Sequence, residues 1–255
     1  SAVGGTISGV VIKSGITNFA SSMLISTDGS TGTLDAASNN TGFGHEVFDD
    51  LTSGDNNTAI GHQALTKLTT GSSNTAIGIG ALDANTTANN NVAVGASSLT
   101  ANTTGTANTA VGVNSLNANT TADNNTALGF LALTANTTGT VNVAVGANAL
   151  DANTTASSGV AIGFNALTSN TTGGANIAIG KDALEANTTG ATNVAVGYLA
   201  LEANTTASYN VAIGAEALND NTTGTLNVAV GYAALDANTT ADNNVAIGVE
   251  SLGAN

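Results

Sequence analysis

Cysteine, proline, tryptophan and arginine are absent from this chain of 255 residues, and lysine occurs only three times. Without cysteine the chain can form neither a disulfide nor a zinc–thiolate site. Three basic residues against 17 acidic ones cannot neutralise a phosphate backbone, which argues against nucleic acid as a partner. The same balance disfavours anionic membrane surfaces, and no apolar run approaches the roughly 20 residues of a membrane-spanning helix. We therefore expect no nucleic-acid partner and no membrane insertion.

What the chain has instead is a 17-residue repeat, marked by one glycine in every copy. Self-similarity at a fixed short period is typical of stacked architectures, in which each unit buries its apolar surface against its neighbours. The best-formed copy reads Asn-Val-Ala-Val-Gly, two variable residues, Ala-Leu, one variable residue, then Ala-Asn-Thr-Thr. We expect the repeating glycine to occupy a turn that a Cβ would disfavour. These column glycines are Gly44, Gly61, Gly78, Gly95, Gly112, Gly129, Gly146, Gly163, Gly180, Gly197, Gly214, Gly231 and Gly248.

Each copy is predicted to contain two short strands. The apolar segment 91–95 is too short for a helix and predicts a buried strand, in which Val92 and Val94 share one face and Ala93 takes the other. The segment Ala-Leu-x-Ala-Asn predicts a second strand, whose leucines should fill the interior together with the valines. The leucines of this column are Leu65, Leu82, Leu99, Leu116, Leu133, Leu150, Leu167, Leu184, Leu201, Leu218, Leu235 and Leu252. Two strands and two turns predict an all-β parallel β-solenoid of about 13 coils over residues 40–255.

Asparagines are expected at both corners of each coil, where their side chains can bond the backbone and one another along the stack. One column precedes the first strand, at Asn91, Asn108, Asn125 and Asn142, and the other follows the second strand, at Asn85, Asn102, Asn119 and Asn136. Ten Asn-Thr-Thr segments also match the glycosylation acceptor pattern. Turn bonding explains the same residues and is the interpretation we prefer.

If the valines face inward, the alanines of the first strand face outward. They would form a smooth apolar stripe, and such stripes usually mark an interface. We therefore expect several chains to pack around a common axis through this stripe. Its members are Ala93, Ala110, Ala127, Ala144, Ala161 and Ala178.

Residues 1–39 do not follow the repeat and are predicted to form a β capping or attachment segment, with short strands around residues 10–12 and 23–25. The last copy stops directly after its second strand. An uncovered solenoid end exposes strand edges, so we expect further chain or another subunit to dock there.

The string Asn-x-Ala-Val/Ile-Gly-x-x-Ala/Ser-Leu, as in residues 108–116 and 142–150, resembles the head repeats of trimeric autotransporter adhesins. The longer form with Asn-Thr-Thr-Gly looks more like repeats in bacteriophage tail fibres, as does the entry segment 17–42. The resemblance covers about residues 15–255, although the repeat is longer than the usual head repeat. It implies a left-handed parallel β-roll in which three chains wrap one axis, and hence a homotrimer.

No constellation of residues points to catalysis, and we expect the protein not to be an enzyme. His45 and His62 lie one repeat apart and are expected to sit one above the other facing solvent, with a metal-binding pair as the alternative. Acidic residues recur along the repeat rather than converge, which predicts a solvated face. The turns at Asp123 and Asp242 lack the glycine-rich pattern of calcium-binding β-rolls and are interpreted as plain turns. We expect no metal and no cofactor.

An aromatic residue follows the column glycine in every second coil, at Phe130, Phe164, Tyr198 and Tyr232. Aligned aromatics at roughly 10 Å intervals could stack on the sugar rings of a surface glycan. The plainer interpretation is that they cover the corner of the coil or pack between chains.

These features together predict the shaft or head of a bacteriophage fibre, which attaches to a host glycan or protein receptor. A bacterial trimeric surface adhesin is the closest alternative. A self-assembling extracellular filament, with the last coil docked on residues 1–40 of the next subunit, is another alternative. A monomeric ice- or surface-binding solenoid is a third. All would act outside the cell or on a virion, through many weak contacts rather than one deep site.

Overall fold

The computed structural model describes residues 5–7, 10–16, 18–26 and 32–253, and every regular element in these ranges is a β-strand. The chain divides into two compact units, Ser1–Asn124 and Asn125–Asn255. The predicted all-β parallel β-solenoid is confirmed in both. Parts of the predicted capping segment (1–4, 8, 9, 17 and 27–31) and the last two residues lie outside the described residues. Across the described ranges we find no helix with the length and hydrophobicity needed to span a bilayer.

The first unit opens with an antiparallel arrangement of three strands: β1 (Gly5–Ile7), β2 (Val10–Ile16) and β3 (Phe19–Ser26). These include the two strands expected around residues 10–12 and 23–25. Strand β3 then pairs in parallel with β4 (Ala37–Ser38) and β5 (Thr41–Phe43), which places Leu24 opposite Gly42. Leu24 is fully buried, so β3 covers the edge of the first coil. A domain boundary at residue 39 stays a prediction.

Each coil contributes one three-residue strand, paired in parallel and in register with the strand 17 residues later within its unit. In the first unit, β5 is followed by β6 (Thr58–Ile60), β7 (Thr75–Ile77), β8 (Val92–Val94) and β9 (Thr109–Val111). The second unit contains β10 (Thr126–Leu128), β11 (Val143–Val145), β12 (Val160–Ile162), β13 (Ile177–Ile179), β14 (Val194–Val196), β15 (Val211–Ile213), β16 (Val228–Val230) and β17 (Val245–Ile247). Five coils and eight coils make the predicted 13.

The second predicted strand is wrong, because the Ala-Leu-x-Ala-Asn segment forms turns. Within one coil the Asn102 N–H donates to the Leu99 carbonyl at 3.2 Å, which closes a turn of four residues. Leu99 itself has φ of +51°, in the left-handed region that an extended strand does not use. The turn is nevertheless tied to its neighbour, since the Leu99 N–H donates to the Ser115 carbonyl at 3.0 Å. Coil-to-coil bonding therefore continues without extended backbone.

The interior holds the alanines of the strands, not the valines, and the predicted outward alanine stripe is wrong. Ala93 and Ala110 are fully buried in the first unit, as are Ala127, Ala144, Ala161 and Ala178 in the second. The valines and isoleucines on either side of each alanine point outward instead. The reason is the width of the coil, because the leucine column already fills the space across from the strand. The leucines of that column from Leu65 to Leu235 are buried as predicted, while Leu252 is partly exposed.

The first coil shows how narrow this interior is. Phe48 takes the place of the leucine and is fully buried, and Gly42 takes the place of the alanine. A Cβ built on Gly42 would lie 3.1 Å from the Phe48 ring and 2.7 Å from Leu24 Cδ1. The larger side chain on one wall is therefore matched by the absence of a side chain on the other.

Both asparagine columns lie inside the coils and form the predicted ladders. Asn91 is an example from the first column. Its N–H donates to Asn74 Oδ1 at 3.0 Å, and its Nδ2 donates to the Gly105 carbonyl at 2.9 Å. In the second column, Asn119 Nδ2 donates to Asn102 Oδ1 at 2.9 Å. The Asn-Thr-Thr asparagines from 85 to 221 are at most 1 % exposed. Folded coils therefore hold these side chains as structural hydrogen-bonding groups, out of reach of a glycosylating enzyme.

Candidate functional site

The most extensive surface feature of the second unit is the outward side of its parallel sheet, which we call the outer strand face. It consists of the first and third residues of each strand from β10 to β17. The larger side chains in its middle, such as Ile162, Ile177 and Ile213, are 37–41 % exposed. Its members are Thr126, Leu128, Val143, Val145, Val160, Ile162, Ile177, Ile179, Val194, Val196, Val211, Ile213, Val228, Val230, Val245 and Ile247.

The outer strand face carries no charged residue, although the chain has a formal net charge of −14. The acidic side chains of the second unit lie at other positions of the coil, as at Asp151, Glu185 and Glu202. Because neighbouring strands are in register, each outward column presents the same kind of side chain at every step of about 4.8 Å. The result is a regular and largely apolar surface of β-branched side chains, in which Thr126 is the polar member and Leu128 the member without a branch at Cβ.

The predicted aromatic residues are all exposed. Phe130, Phe164, Tyr198 and Tyr232 have 47–53 % of their surface accessible, and each follows the column glycine that ends its strand. No described contact brings these four side chains together into one pocket. Apolar residues also precede the outer strand face, where Val141, Tyr209 and Leu226 are 53–60 % exposed.

Charged side chains lie close to Tyr198 and Tyr232. Lys181 Nζ lies 5.3 Å from the centre of the Tyr198 ring, within the range of a cation–π contact. The same ammonium donates to the Asp182 carboxylate, and this hydrogen bond raises the pKa of Lys181. At the other tyrosine, the charge of Glu216 raises the pKa of Tyr232. This corner of the second unit is therefore an aromatic and acidic surface rather than a purely apolar one.

The carboxylates of the candidate calcium turns are used as hydrogen-bond acceptors by the preceding coil. The Thr106 N–H and hydroxyl donate to Asp123 Oδ1 at 2.6 and 3.0 Å. The Thr225 N–H and hydroxyl donate to Asp242 Oδ1 at the same distances. The backbone bond from Thr225 lowers the pKa of Asp242, as expected for a carboxylate that accepts an N–H.

Asp151 lies in an environment that disfavours its charged form. Burial raises the pKa of Asp151, and a hydrogen bond with the Thr134 side chain offsets part of this effect. Two coils have asparagine at the equivalent position. Asn117 Nδ2 donates to the Ser97 carbonyl, and Asn219 Nδ2 donates to the Leu199 carbonyl, both at 3.0 Å.

In the first unit, the two histidines are stacked as predicted. The ring centres of His45 and His62 are 5.3 Å apart with an interplanar angle of 26°, and both side chains are exposed. Glu46 lies beside both rings, and sequence reasoning missed it. The available signal was its position directly after His45, at the same corner of the coil.

Sequence reasoning also missed the outer strand face, since it assigned the valines to the interior. The first strand position is a polar threonine in four of the five coils of the first unit, at Thr41, Thr58, Thr75 and Thr109. A threonine is a poor occupant of a thin apolar core, so these residues were the signal that this column faces solvent.

The chain matches no known protein family, no curated protein and no solved structure.

Proposed function

We propose that the protein is a non-enzymatic fibre component whose copies pack together through the outer strand face. The observation that carries the proposal is the apolar, charge-free sheet face of the second unit, repeated without interruption over eight strands. Exposed apolar surface of this extent marks an interaction site. This face replaces the alanine stripe as the surface through which chains meet.

A second copy of the chain is the occupant that fits the charge. Two copies, each with a formal net charge of −14, repel one another unless they meet where carboxylates are absent. Eight strands at about 4.8 Å, each of three residues at about 3.3 Å, offer about 400 Å² per copy. A pair of such faces buries about 800 Å² in total, which is the size of a weak interface, so the flanking aromatic residues must add to the contact in a stable complex.

The resemblance of the repeat to adhesin heads and phage fibres supports three chains around one axis and a role in attachment, on a virion or cell surface. In such an assembly, the aromatic residues Phe130, Phe164, Tyr198 and Tyr232 would be presented in threefold copies. Weak contacts of each with a glycan or protein receptor would then add up through multivalency.

The test compares two double variants of equal charge. Val211→Lys with Val228→Lys places two ammonium groups on the outer strand face, whereas Thr189→Lys with Thr223→Lys places them at exposed positions elsewhere in the same unit. We expect the native chain and the threonine variant to sediment as a complex of several chains, and the valine variant to sediment as one chain. Circular dichroism checks that both variants keep the native fold. An unchanged mass for the valine variant would contradict the assigned interface.

A further inference from the structure

The two histidines of the chain are brought together with one glutamate in the first unit. His45 and His62 each follow a column glycine, and the 17-residue repeat places them in adjacent coils. Glu46 extends along both rings. Its Oε1 lies 3.5 Å from His45 Nδ1, and its Oε2 lies 3.9 Å from His62 Nε2.

The carboxylate of Glu46 is held in this place by the neighbouring coil. Gln63 Nε2 donates to Glu46 Oε2 at 2.7 Å, and the Thr66 hydroxyl donates to the Glu46 carbonyl at 3.0 Å. The Gln63 N–H also donates to the His45 carbonyl at 3.0 Å, which ties the two coils at this corner. Hydrogen bonds of this kind orient a ligating carboxylate in metal sites.

We propose that His45, Glu46 and His62 bind one zinc ion, with water in the fourth position. The three side chains offer two imidazole nitrogens and one carboxylate oxygen, all within 4.8 Å of one another. A tetrahedral zinc ion with bonds of about 2.0–2.1 Å holds its ligand atoms roughly 3.4 Å apart. The side chains need to close by only about 1.4 Å, which small rotations of these exposed groups can supply.

The donor set favours zinc over calcium and magnesium, and the distances argue against a direct ion pair. Imidazole suits zinc, whereas calcium and magnesium prefer sites made of oxygen alone. Both nitrogen–oxygen distances exceed the 2.7–2.9 Å of a charge-assisted hydrogen bond, so neither ring is bonded directly to the carboxylate. A carboxylate that lies between two imidazoles without bonding either one leaves room for a shared cation. The negative charge of the chain also attracts cations to its surface.

The test is isothermal titration of the intact chain with zinc chloride, with calcium chloride as the parallel titrant. We expect one zinc per chain, no calcium binding, and a thermal unfolding midpoint that rises with zinc because the ion binds only the folded site. His62→Gln and Glu46→Gln should each weaken zinc binding by at least about tenfold. Asp83→Asn, which removes a half-buried carboxylate elsewhere in the unit, should leave it unchanged.

Position 62 tolerates exchange, because the equivalent corner carries Ala96 and Val113 in later coils. Loss of binding in His62→Gln therefore reports on the ligand rather than on the fold, and His62→Ala repeats the test with a residue that the repeat already uses. Absence of zinc binding would overturn the proposal. So would equal affinity in the histidine variants, or one zinc per two chains with a doubled sedimentation mass, which would mean that the ion bridges copies. None of these outcomes depends on the outer strand face.

Discussion

Two glycines in one coil provide a matched test of how tightly the coils are stacked. Gly78 is a column glycine with φ of +140°, and a Cβ built on it would lie 2.4 Å from the Gly95 carbonyl oxygen of the next coil. Gly80, two residues later, has φ of +64° and no atom closer than 4.0 Å to its built Cβ. Both substitutions to alanine restrict the unfolded chain equally, so that contribution cancels in the comparison.

We expect Gly78→Ala to lower the free energy of unfolding by about 1–5 kcal/mol, after subtraction of about 0.4–1 kcal/mol for the restricted unfolded chain. Backbone strain in this glycine-favoured region accounts for about 1–3 kcal/mol, and displacement of a packed coil adds about 1–3 kcal/mol. The next coil has to move, because the built Cβ lies 2.4 Å from the Gly95 carbonyl oxygen. An ordinary C···O contact of about 3.3 Å therefore requires a shift of roughly 1 Å. For Gly80→Ala, a left-handed cost of about 1–2 kcal/mol is offset by about 0.4–1 kcal/mol from the unfolded state.

The measurement is chemical unfolding of both variants, followed by circular dichroism. Other coils support the smaller cost at position 80, since Ser97 and Asn114 adopt φ of +54° and +56° at the equivalent place. A difference of about 1–3 kcal/mol between the two variants is expected, chiefly from displacement of the packed coil. Equal stability of Gly78→Ala and Gly80→Ala would refute the argument that carbonyl contact between coils requires the column glycine.

Three further substitutions should stabilise the fold in chemical unfolding experiments. Gly159 interrupts an asparagine ladder, so Gly159→Asn supplies an Oδ1 for the Asn176 N–H and should add up to about 1 kcal/mol; no gain would contradict the ladder's energetic role. Val141 is a β-branched, exposed residue with φ of +60°, and Val141→Asn should add about 1 kcal/mol because asparagine tolerates this conformation; a loss would show that the side chain packs usefully. Burial raises the pKa of Asp151, so its proton is held more tightly in the folded state, and stability is lost as the pH rises through that raised pKa. Asp151→Asn should therefore stabilise the fold slightly at pH 7, since solvent screening reduces the effect at this partly exposed position, and the gain should shrink as the pH falls towards 3; a gain independent of pH would contradict the assigned cause.

Much of this architecture could be predicted from the repeat. Its period and its glycine, asparagine and leucine columns each indicate one structural role. A glycine every 17 residues indicates close stacking, and paired asparagine columns indicate ladders, as Gly78 and Asn91 both show. Which face of the strand points into the coil was harder to predict. Alternation places Val92 and Val94 opposite Ala93 but does not say which side is inward. The coil width decides this, and width depends on packing across the coil, where the leucine column leaves space only for a methyl group.

The turn conformation of the leucine column could not be predicted from residue preference. Leucine has no tendency towards positive φ, yet Leu99 and Leu116 adopt φ of +51° and +49°. Two consecutive turns reverse the chain there, and burial of the leucine side chain stabilises this arrangement. The cluster around Glu46 was hidden for a similar reason, since only the stacking of coils brings that residue beside His62.

The measurement that tests the central claim most directly is the solution mass of the intact chain, by sedimentation over a wide range of concentrations. If the outer strand face is buried between copies, the chain should sediment as a discrete complex, and three chains are expected from the fibre-like repeat. A mass of one chain at every concentration would contradict the account, because it would leave the apolar face of the second unit exposed to water.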